Sequence, residues 1–550
     1  MKKAILGALF VGAMFASCSS DEPVINPDNG NNGENLGYVA VNIVQPKSIG
    51  TRAFGKDDFE NGDDVENTAE KALFFVFNKT GNIIGDAQEI ALTPTNNTSD
   101  INPAVEKIYK AVLVINGVSP KPTPDTEYQM VCVLNAPTGL TTVKTLKGLQ
   151  DKIGDYRISS DNSFIMTNSV YKKGNDEVLG AIITDDNIKT SGTEAEKNPV
   201  DIYVERVVAK VTSNAPKEIV SNGATITDNK GAEKNFTIEI TGIEIANIAA
   251  TSYLFKNISD ITYEWAWDAD NKRSYWETIP SSMAYENQSY ADIANGFNNA
   301  NGLKTYIQPN TASQKANQTS VLVTAQLKEG NDVADLAYIR GQYTTIDGAM
   351  AVVAQAIANK FDYRKEVIEN GETKYRQLDK NDFKWVNKFD EGFTTLTWLK
   401  DYEVIATLAD ADQKIYTVST GENGKEIATE VTDKTEFETF LRGNATEASD
   451  YRARVYTDGK CYYFVRIDQT SVANGNGENN VAAHTYDGVV RNHVYKLNLQ
   501  SIGGIGVPVF DPNDKIIPQD VPDEELFYVA AEINVLDWKI VQQNVNFQGK

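Results

Sequence analysis

Short runs of β-branched and aromatic residues, punctuated by Asn, Gly, Asp and Pro, recur along most of the chain, which is how antiparallel strands joined by turns read. In the stretch GYVAVNIVQ, Val39, Val41 and Ile43 share one face of an alternating pattern. ALFFVFNKTGNII reads as a strand running into a turn at 78–81, and YKAVLVING, YQMVCVLNAP, SFIMTNS and DIYVERVVAKV read as further strands. Between them VKTLKGLQDKI has helical spacing. The polar stretch from Ser213 to Asn235 is rich in turn residues and has little periodicity, so a domain boundary is placed there. Beyond it, FTIEITGIEIANI alternates Phe236, Ile238 and Ile240 with Thr and Glu, and SVLVTAQLK comes next. ARVYTDGKCYYFVRI predicts a hairpin that turns at Asp458-Gly459. Two helices are predicted in this half: one with Met350, Val353, Ala354 and Ile357 on one face, and a short one capped by Thr435 and Glu438 before Gly443.

The two ends break this pattern. Residues 1–17 carry Lys2 and Lys3 ahead of an apolar run from Ala4 to Ala16 that is too short for a mature membrane span, which predicts a signal peptide. Ala16-Ser17-Cys18 places two small residues before a cysteine, the arrangement for cleavage ahead of an acylated thiol, although Phe15 replaces the usual Leu. Acyl chains on Cys18 would hold the protein on a membrane at about 0.8 kcal/mol per buried methylene. The tract after Cys18 is a polar tether that cannot order itself. At the other end, residues 507–525 space Pro508, Pro512, Pro518 and Pro522 through an acidic stretch, which predicts an extended linker. After it, Phe527, Val529, Ala531, Ile533 and Val535 share one face of a strand, and Val541, Val545 and Phe547 continue an apolar register. A strand on such a linker can pair far away; from these residues alone, its return to its own sheet is the simpler reading.

Composition narrows the chemistry. The 550 residues suffice for about two to four domains. A formal charge of −24, from 52 Lys+Arg and 76 Asp+Glu, argues against nucleic acid as a partner. Only two His and three Cys leave little for metal or thiol chemistry. His484 and His493 have no ligand spacing, and the acidic pairs Asp268/Asp270 and Asp410/Asp412 lack the Gly and distal Glu of a calcium loop. Gly503, Gly504 and Gly506 meet a proline instead of a helix, so they read as turns rather than a phosphate cradle. No catalytic constellation, metal site or cofactor motif emerges. Cys132 and Cys461 lie in separate apolar strands and read as buried reduced thiols.

The whole chain resembles the fimbrillins of Bacteroidales, and within them the shaft subunits of minor-type fimbriae, which are type V pilins. The resemblance rests chiefly on RNHVYKLNLQSIGGIGVP, with Arg491, Asn492, Tyr495, Leu497, Ile502, Gly504, Gly506 and Pro508, and on the closing INVLDWKIVQQNVNF with Trp538. VCVLNAP, the strand VERVVAKV with Arg206 and Ala209, and the lipobox add to it; residues 245–450 match mainly in strand character. The resemblance implies an all-β chain with minor α content, built as two tandem transthyretin-like β-sandwich domains with a C-terminal donor-strand extension. It also implies a palmitoylated precursor held to outer-membrane lipid through Cys18 and cut by an arginine-specific protease. The matching bond is Arg52-Ala53.

The expected organisation is then a signal peptide (1–17), a lipidated propeptide ending in a removable strand (18–52), an N-terminal sandwich (53–215), a C-terminal sandwich with insertions (216–506), the linker (507–525) and donor strands (526–550). Removing the first strand would leave a groove that the C-terminal strands of another copy fill, giving a head-to-tail polymer on the cell surface, with tip and anchor proteins as further partners. Adhesion to a host or bacterial surface would be its use. Three rivals stand beside this reading: a tip or anchor subunit of the same fimbria, a monomeric surface lipoprotein stacking glycans on Trp265, Trp267 and Trp276, and a surface glycosidase whose carboxylate pair sequence cannot reveal.

Overall fold

The computed structural model describes residues 36–46, 63–94, 105–116, 118, 127–157, 163–262, 266–269, 272–390, 396–443, 451–467, 488–519, 527–536 and 541–545. The chain is mostly β-strand with a few helices, in sheets packed as sandwiches.

The first half forms one nine-stranded sheet. Its strands are β1 (Leu36–Pro46), β2 (Lys71–Phe77), β3 (Gln88–Ala91), β4 (Thr93–Pro94), β5 (Val105–Asn116), β6 (Glu127–Leu134), β7 (Met166–Asn168), β8 (Ala181–Thr184) and β9 (Val200–Arg206). Their order is β3-β2-β6-β7-β9-β1-β5-β4, with β8 beside β6. The sheet curls so that its end strand meets β5: the Gln88 side-chain amide donates to the Val114 carbonyl at 2.8 Å. Inside lies one core made of alternate residues such as Val39, Val41, Ile43, Leu113, Val131, Val133 and Val204. Between β6 and β7 the helical spacing near residue 146 yields only a short helix, α1 (Leu146–Gln150), capped by the Thr145 side chain.

The second half begins inside a segment that reads as a single strand. β9 ends at Arg206; Val207 and Val208 still pack in the first core, and Ala209 opens β10 (Ala209–Ser213) in the second. This change of core precedes the polar stretch from Ser213. The strands after it are β11 (Val220–Ser221), β12 (Ala224–Thr227), β13 (Glu233–Ala246), β14 (Lys304–Ile307), β15 (Ser320–Glu329), β16 (Leu336–Ile339), β17 (Ala453–Tyr456), β18 (Lys460–Arg466), β19 (Val494–Gly504), β20 (Val507–Pro508), β21 (Phe527–Leu536) and β22 (Val541–Val545). Apart from β16 and β17, which pair with each other in a separate small sheet, they make two main sheets, ordered β14-β10-β19-β21-β22 (with β11 beside β19) and β12-β13-β15-β18-β20, which enclose the second core.

An insertion between β16 and β17 has a third core of its own. It is built on α2 (Ile346–Phe361), which buries Ala349, Met350, Val353, Ala354 and Ile357 as its spacing predicts. The shorter α3 (Thr435–Arg442) ends at Gly443 (φ +66°) as expected, but its start differs: Lys434 is the cap residue, and the Asp433 carboxylate accepts from the Thr435 N–H. The expected hairpin at Asp458-Gly459 is instead a corner. β17 pairs with β16, whereas β18 pairs with β15 and β20. Both corner residues are left-handed, at φ +50° and +66°. A Cβ on Gly459 would stand 2.4 Å from the Leu327 carbonyl oxygen, so only glycine fits the turn between sheets.

Candidate functional site

β1 occupies the interior of its sheet. It runs parallel to β9, with Val41 opposite Val200 and Ile43 opposite Ile202, and antiparallel to β5, from Leu36 opposite Asn116 to Gln45 opposite Lys107. Both backbone edges are therefore paired, and Val39, Val41 and Ile43 are 0%, 1% and 0% exposed. β-branched residues at alternate positions suit this place, filling a pleated and buried face. Ala40, on the other face, is also buried. At one end the fit is close: a Cβ on Gly37 would lie 2.6 Å from Ile188 Cγ2 and 2.7 Å from the Val118 carbonyl oxygen. On the outer face the Asn42 amide donates to Asp201 Oδ1 at 3.0 Å.

The bond expected to be cut, Arg52-Ala53, and the expected lipidation residue Cys18 lie outside the described residues. Asp63 leads into a single turn, Asp64–Asn67, that is clamped to the body. Glu66 is buried and pairs with Lys210 at 2.8 Å and with the Tyr306 hydroxyl. Arg206 Nε donates to the Glu66 carbonyl at 2.8 Å, and its Nη2 donates to Asn67 Oδ1. The Tyr109 hydroxyl donates to the Asn67 carbonyl and accepts from the Ala69 N–H. Lys304 reaches Asp63 at 2.8 Å; that hydrogen bond, then the charge of Lys210, holds the Asp63 carboxyl below its usual range. Buried charges on β9 and β10, with the Tyr109 hydroxyl on β5, thus fix the chain at 63–69.

The late signature residues have structural roles. Arg491 is fully buried: its Nε donates to Glu277 Oε2 at 2.9 Å, and its Nη1 and Nη2 donate to the Leu254 and Tyr253 carbonyls, each at 2.8 Å. Lys256 pairs with Glu205 at 2.8 Å alongside, and burial pushes the Glu205 carboxyl upwards. Between these two pairs the chain crosses from the second sandwich, so that Leu254, Phe255, Ile258, Ile261 and Ala266 pack into the first core. Asn492 is left-handed (φ +57°) and accepts from Arg206, and the Tyr495 hydroxyl accepts from the Val490 N–H. Gly504 and Gly506 are left-handed, and a Cβ on Gly506 would meet the Tyr462 carbonyl at 3.0 Å. Arg491 and Asn492 thus join the two sandwiches, a role that spacing in the sequence cannot reveal.

At the other end the C-terminal strands return to their own sandwich. β21 pairs antiparallel with β19, from Val494 opposite Leu536 to Gly504 opposite Phe527, and β22 pairs with β21. Phe527, Val529, Ala531, Ile533 and Val535 lie on β21, and Val541 and Val545 on β22; Phe547 lies outside the described residues. The linker differs from expectation. Val507 and Pro508 pair with Tyr462 and Cys461, Val509 and Ile516 are buried, and the Ile516 N–H donates to the Gln288 carbonyl. Residues 507–519 are therefore docked on the body, because apolar side chains between the prolines find a core.

The rival chemistries find less support. Trp276 is half-buried against the first core, Trp267 lies on a two-residue strand, and Trp265 lies outside the described residues. A cavity of about 1000 Å³ beside α2 is lined in part by Phe236, Lys234, Arg340, Lys360, Phe440 and Tyr451, and Trp276 is not among its described lining residues. His493 is buried with Nδ1 2.8 Å from the Arg491 carbonyl, and His484 lies outside the described residues. Cys132 and Cys461 are free and buried in different cores; burial pushes the Cys461 thiol up to about 12. Among the described residues no cluster of three or more His, Cys, Asp or Glu could hold a metal, and no helix is long and apolar enough to cross a membrane.

Residues 454–544, from β17 to β22, match the family described as major fimbrial subunit protein type IV, fimbrillin, C-terminal. No curated protein matches the chain in sequence. Among solved structures, a provisionally named cell adhesion protein of Parabacteroides distasonis is 12% identical, with 90% of this chain and 96% of that chain covered and a TM-score of 0.35. A tip fimbrial protein of Porphyromonas gingivalis with a C-terminal truncation is 10% identical, over 90% of this chain and 99% of that one, at a TM-score of 0.30. A fimbrial assembly protein of Parabacteroides distasonis is 10% identical, over 71% and 98%, at 0.28. Likenesses this distant do not bear on function.

Proposed function

We propose, from the match of residues 454–544 to the C-terminal family of fimbrillins, that the protein is a structural subunit of the shaft of a surface fimbria, switched on by proteolysis. It is exported as a lipoprotein through Cys18, cut at Arg52-Ala53 by an arginine-specific protease, and polymerised when the C-terminal strands of one copy enter the first sandwich of the next. The observation that carries this reading is the interior place of β1 between β5 and β9. A strand in that position cannot leave without exposing two unpaired backbone edges and the seats of Val39, Val41 and Ile43.

The energetics favour refilling. Three such side chains, at about 1.5–3 kcal/mol each, give roughly 5–9 kcal/mol of apolar burial that a replacement strand regains. The clamp at Glu66 and Asn67 supports the switch, because it anchors the chain beyond the cut while β1 departs. A linkage from one copy's C-terminus to the next copy's first sandwich is heterologous and does not close, so it gives a fibre. The function is structural rather than catalytic; tip and anchor proteins and a host or bacterial surface are the further partners. The test is whether protease-treated protein polymerises only when its C-terminal strands are present; polymer from uncut protein, or none from cut protein, defeats the proposal.

A further inference from the structure

β21 repeats the sequence of β1. Residues 36–43 read Leu-Gly-Tyr-Val-Ala-Val-Asn-Ile and residues 526–533 read Leu-Phe-Tyr-Val-Ala-Ala-Glu-Ile, a constant offset of 526 − 36 = 490. Leu36, Tyr38, Val39, Ala40 and Ile43 have identical counterparts in Leu526, Tyr528, Val529, Ala530 and Ile533. Strand propensity alone would give alternating apolar residues, without the same Tyr-Val-Ala run in the same phase. Val541–Val545 carries no such copy, its central residues being Gln542, Gln543 and Asn544.

We infer that β21 of one copy enters the seat of β1 in the next in the same direction and register, parallel to β9 and antiparallel to β5, as an imperfect copy whose departures keep it out until β1 is cut away. This rests on the donor-strand reading and specifies its partner surface. Val529 takes the place of Val39, Ala530 that of Ala40, Ala531 that of Val41 and Ile533 that of Ile43. Reversal, or a slip of one residue, would break this match; a slip would also turn the apolar set to the other face.

The three departures are informative. Phe527 falls at Gly37, where a Cβ already meets the Val118 backbone at 2.7 Å, so the copied strand fits only from Tyr528 onwards. Ala531 leaves the seat of fully buried Val41 short by two carbons. Glu532 falls at Asn42, which hydrogen-bonds Asp201 and stands opposite Lys110, so the newcomer exchanges a hydrogen bond for repulsion on one side and attraction on the other. While attached, β1 fits better and has no association entropy to overcome. Once cut it can dissociate, and β21 is the best remaining match. Residues 507–519 are docked on the body, so only the seven residues from 520 to 526 separate that docked segment from β21, a reach of at most about 30 Å if fully extended.

Register is tested by paired cysteines in the full chain, cut with an arginine-specific protease and oxidised. In β1, Tyr38 stands opposite Val114 and Asn42 opposite Lys110. Tyr528→Cys with Val114→Cys, and Glu532→Cys with Lys110→Cys, should therefore each give covalent ladders; shifting the second partner to Val112→Cys should not. Ladders that resist detergent while one or both expected pairs fail to cross-link would overturn the direction or register and leave donor-strand exchange standing. If the parent protein forms no polymer, the donor-strand reading falls and this inference with it. An independent variant, Ala531→Val, should slow subunit dissociation about tenfold by refilling the Val41 seat; an unchanged or faster rate would contradict the assignment.

Discussion

Ile43→Ala gives two different outcomes before and after processing. Ile43 has no exposed surface and lies in the first core with Val39 and Val41. Truncating such a side chain costs about 2–5 kcal/mol, and in a domain of this size each kcal/mol lowers the midpoint by about 2–4 °C, so the uncut variant should melt roughly 4–20 °C below the parent in its first transition. After cleavage at Arg52 and loss of β1, the altered residue is gone. Variant and parent should then have the same melting curve and the same mass from Ala53 onwards. Differential scanning calorimetry of both forms, with mass spectrometry, gives the answer. A variant that matches the parent before cleavage, or still differs after it, would refute the reasoning.

The joint between the sandwiches should be sensitive to charge: Glu277→Gln leaves the buried Arg491 guanidinium without its counter-charge and should cost about 3–5 kcal/mol, read by denaturant unfolding. Replacing both residues by Met should recover only part of this, because the Leu254 and Tyr253 carbonyls lose their donor. The clamp should weaken in acid. The Asp63 carboxyl is depressed in the folded protein by Lys304 and Lys210, so its contribution is present above the usual carboxylate range and is lost as pH falls through the folded pKa; hydrogen exchange at 63–69 should rise there, and Asp63→Asn should remove that dependence. Cys132 and Cys461 should resist alkylation at neutral pH in the native protein, since both are buried and burial pushes Cys461 to about 12; rapid labelling by iodoacetamide would contradict the packing of both cores.

Local periodicity made some elements legible and left others hidden. The alternation of Val39, Val41 and Ile43 marks β1, and the spacing of Met350, Val353, Ala354 and Ile357 marks the buried face of α2. VERVVAKV reads as one strand because no Gly or Pro interrupts it, yet Val208 and Ala209 belong to different cores. Asp458-Gly459 has the local chemistry of a hairpin, but the partners of β17 and β18 are chosen by distant strands. The prolines after Pro508 suggest a free spacer, while Val509 and Ile516 dock it. Arg491 and Glu277 are 214 residues apart, so no spacing could announce their pair. What remained hidden is non-local pairing, which a single sequence encodes only through the finished fold.

The most direct test of protease-gated strand exchange uses the purified precursor beside a variant ending at Glu525. Each is treated with an arginine-specific protease, the new N-terminus is sequenced, and unboiled samples are run on a denaturing gel. The account predicts a product beginning at Ala53 that forms a ladder in the full chain and stays monomeric in the shortened one. A monomer under every condition would contradict it and favour a monomeric surface lipoprotein.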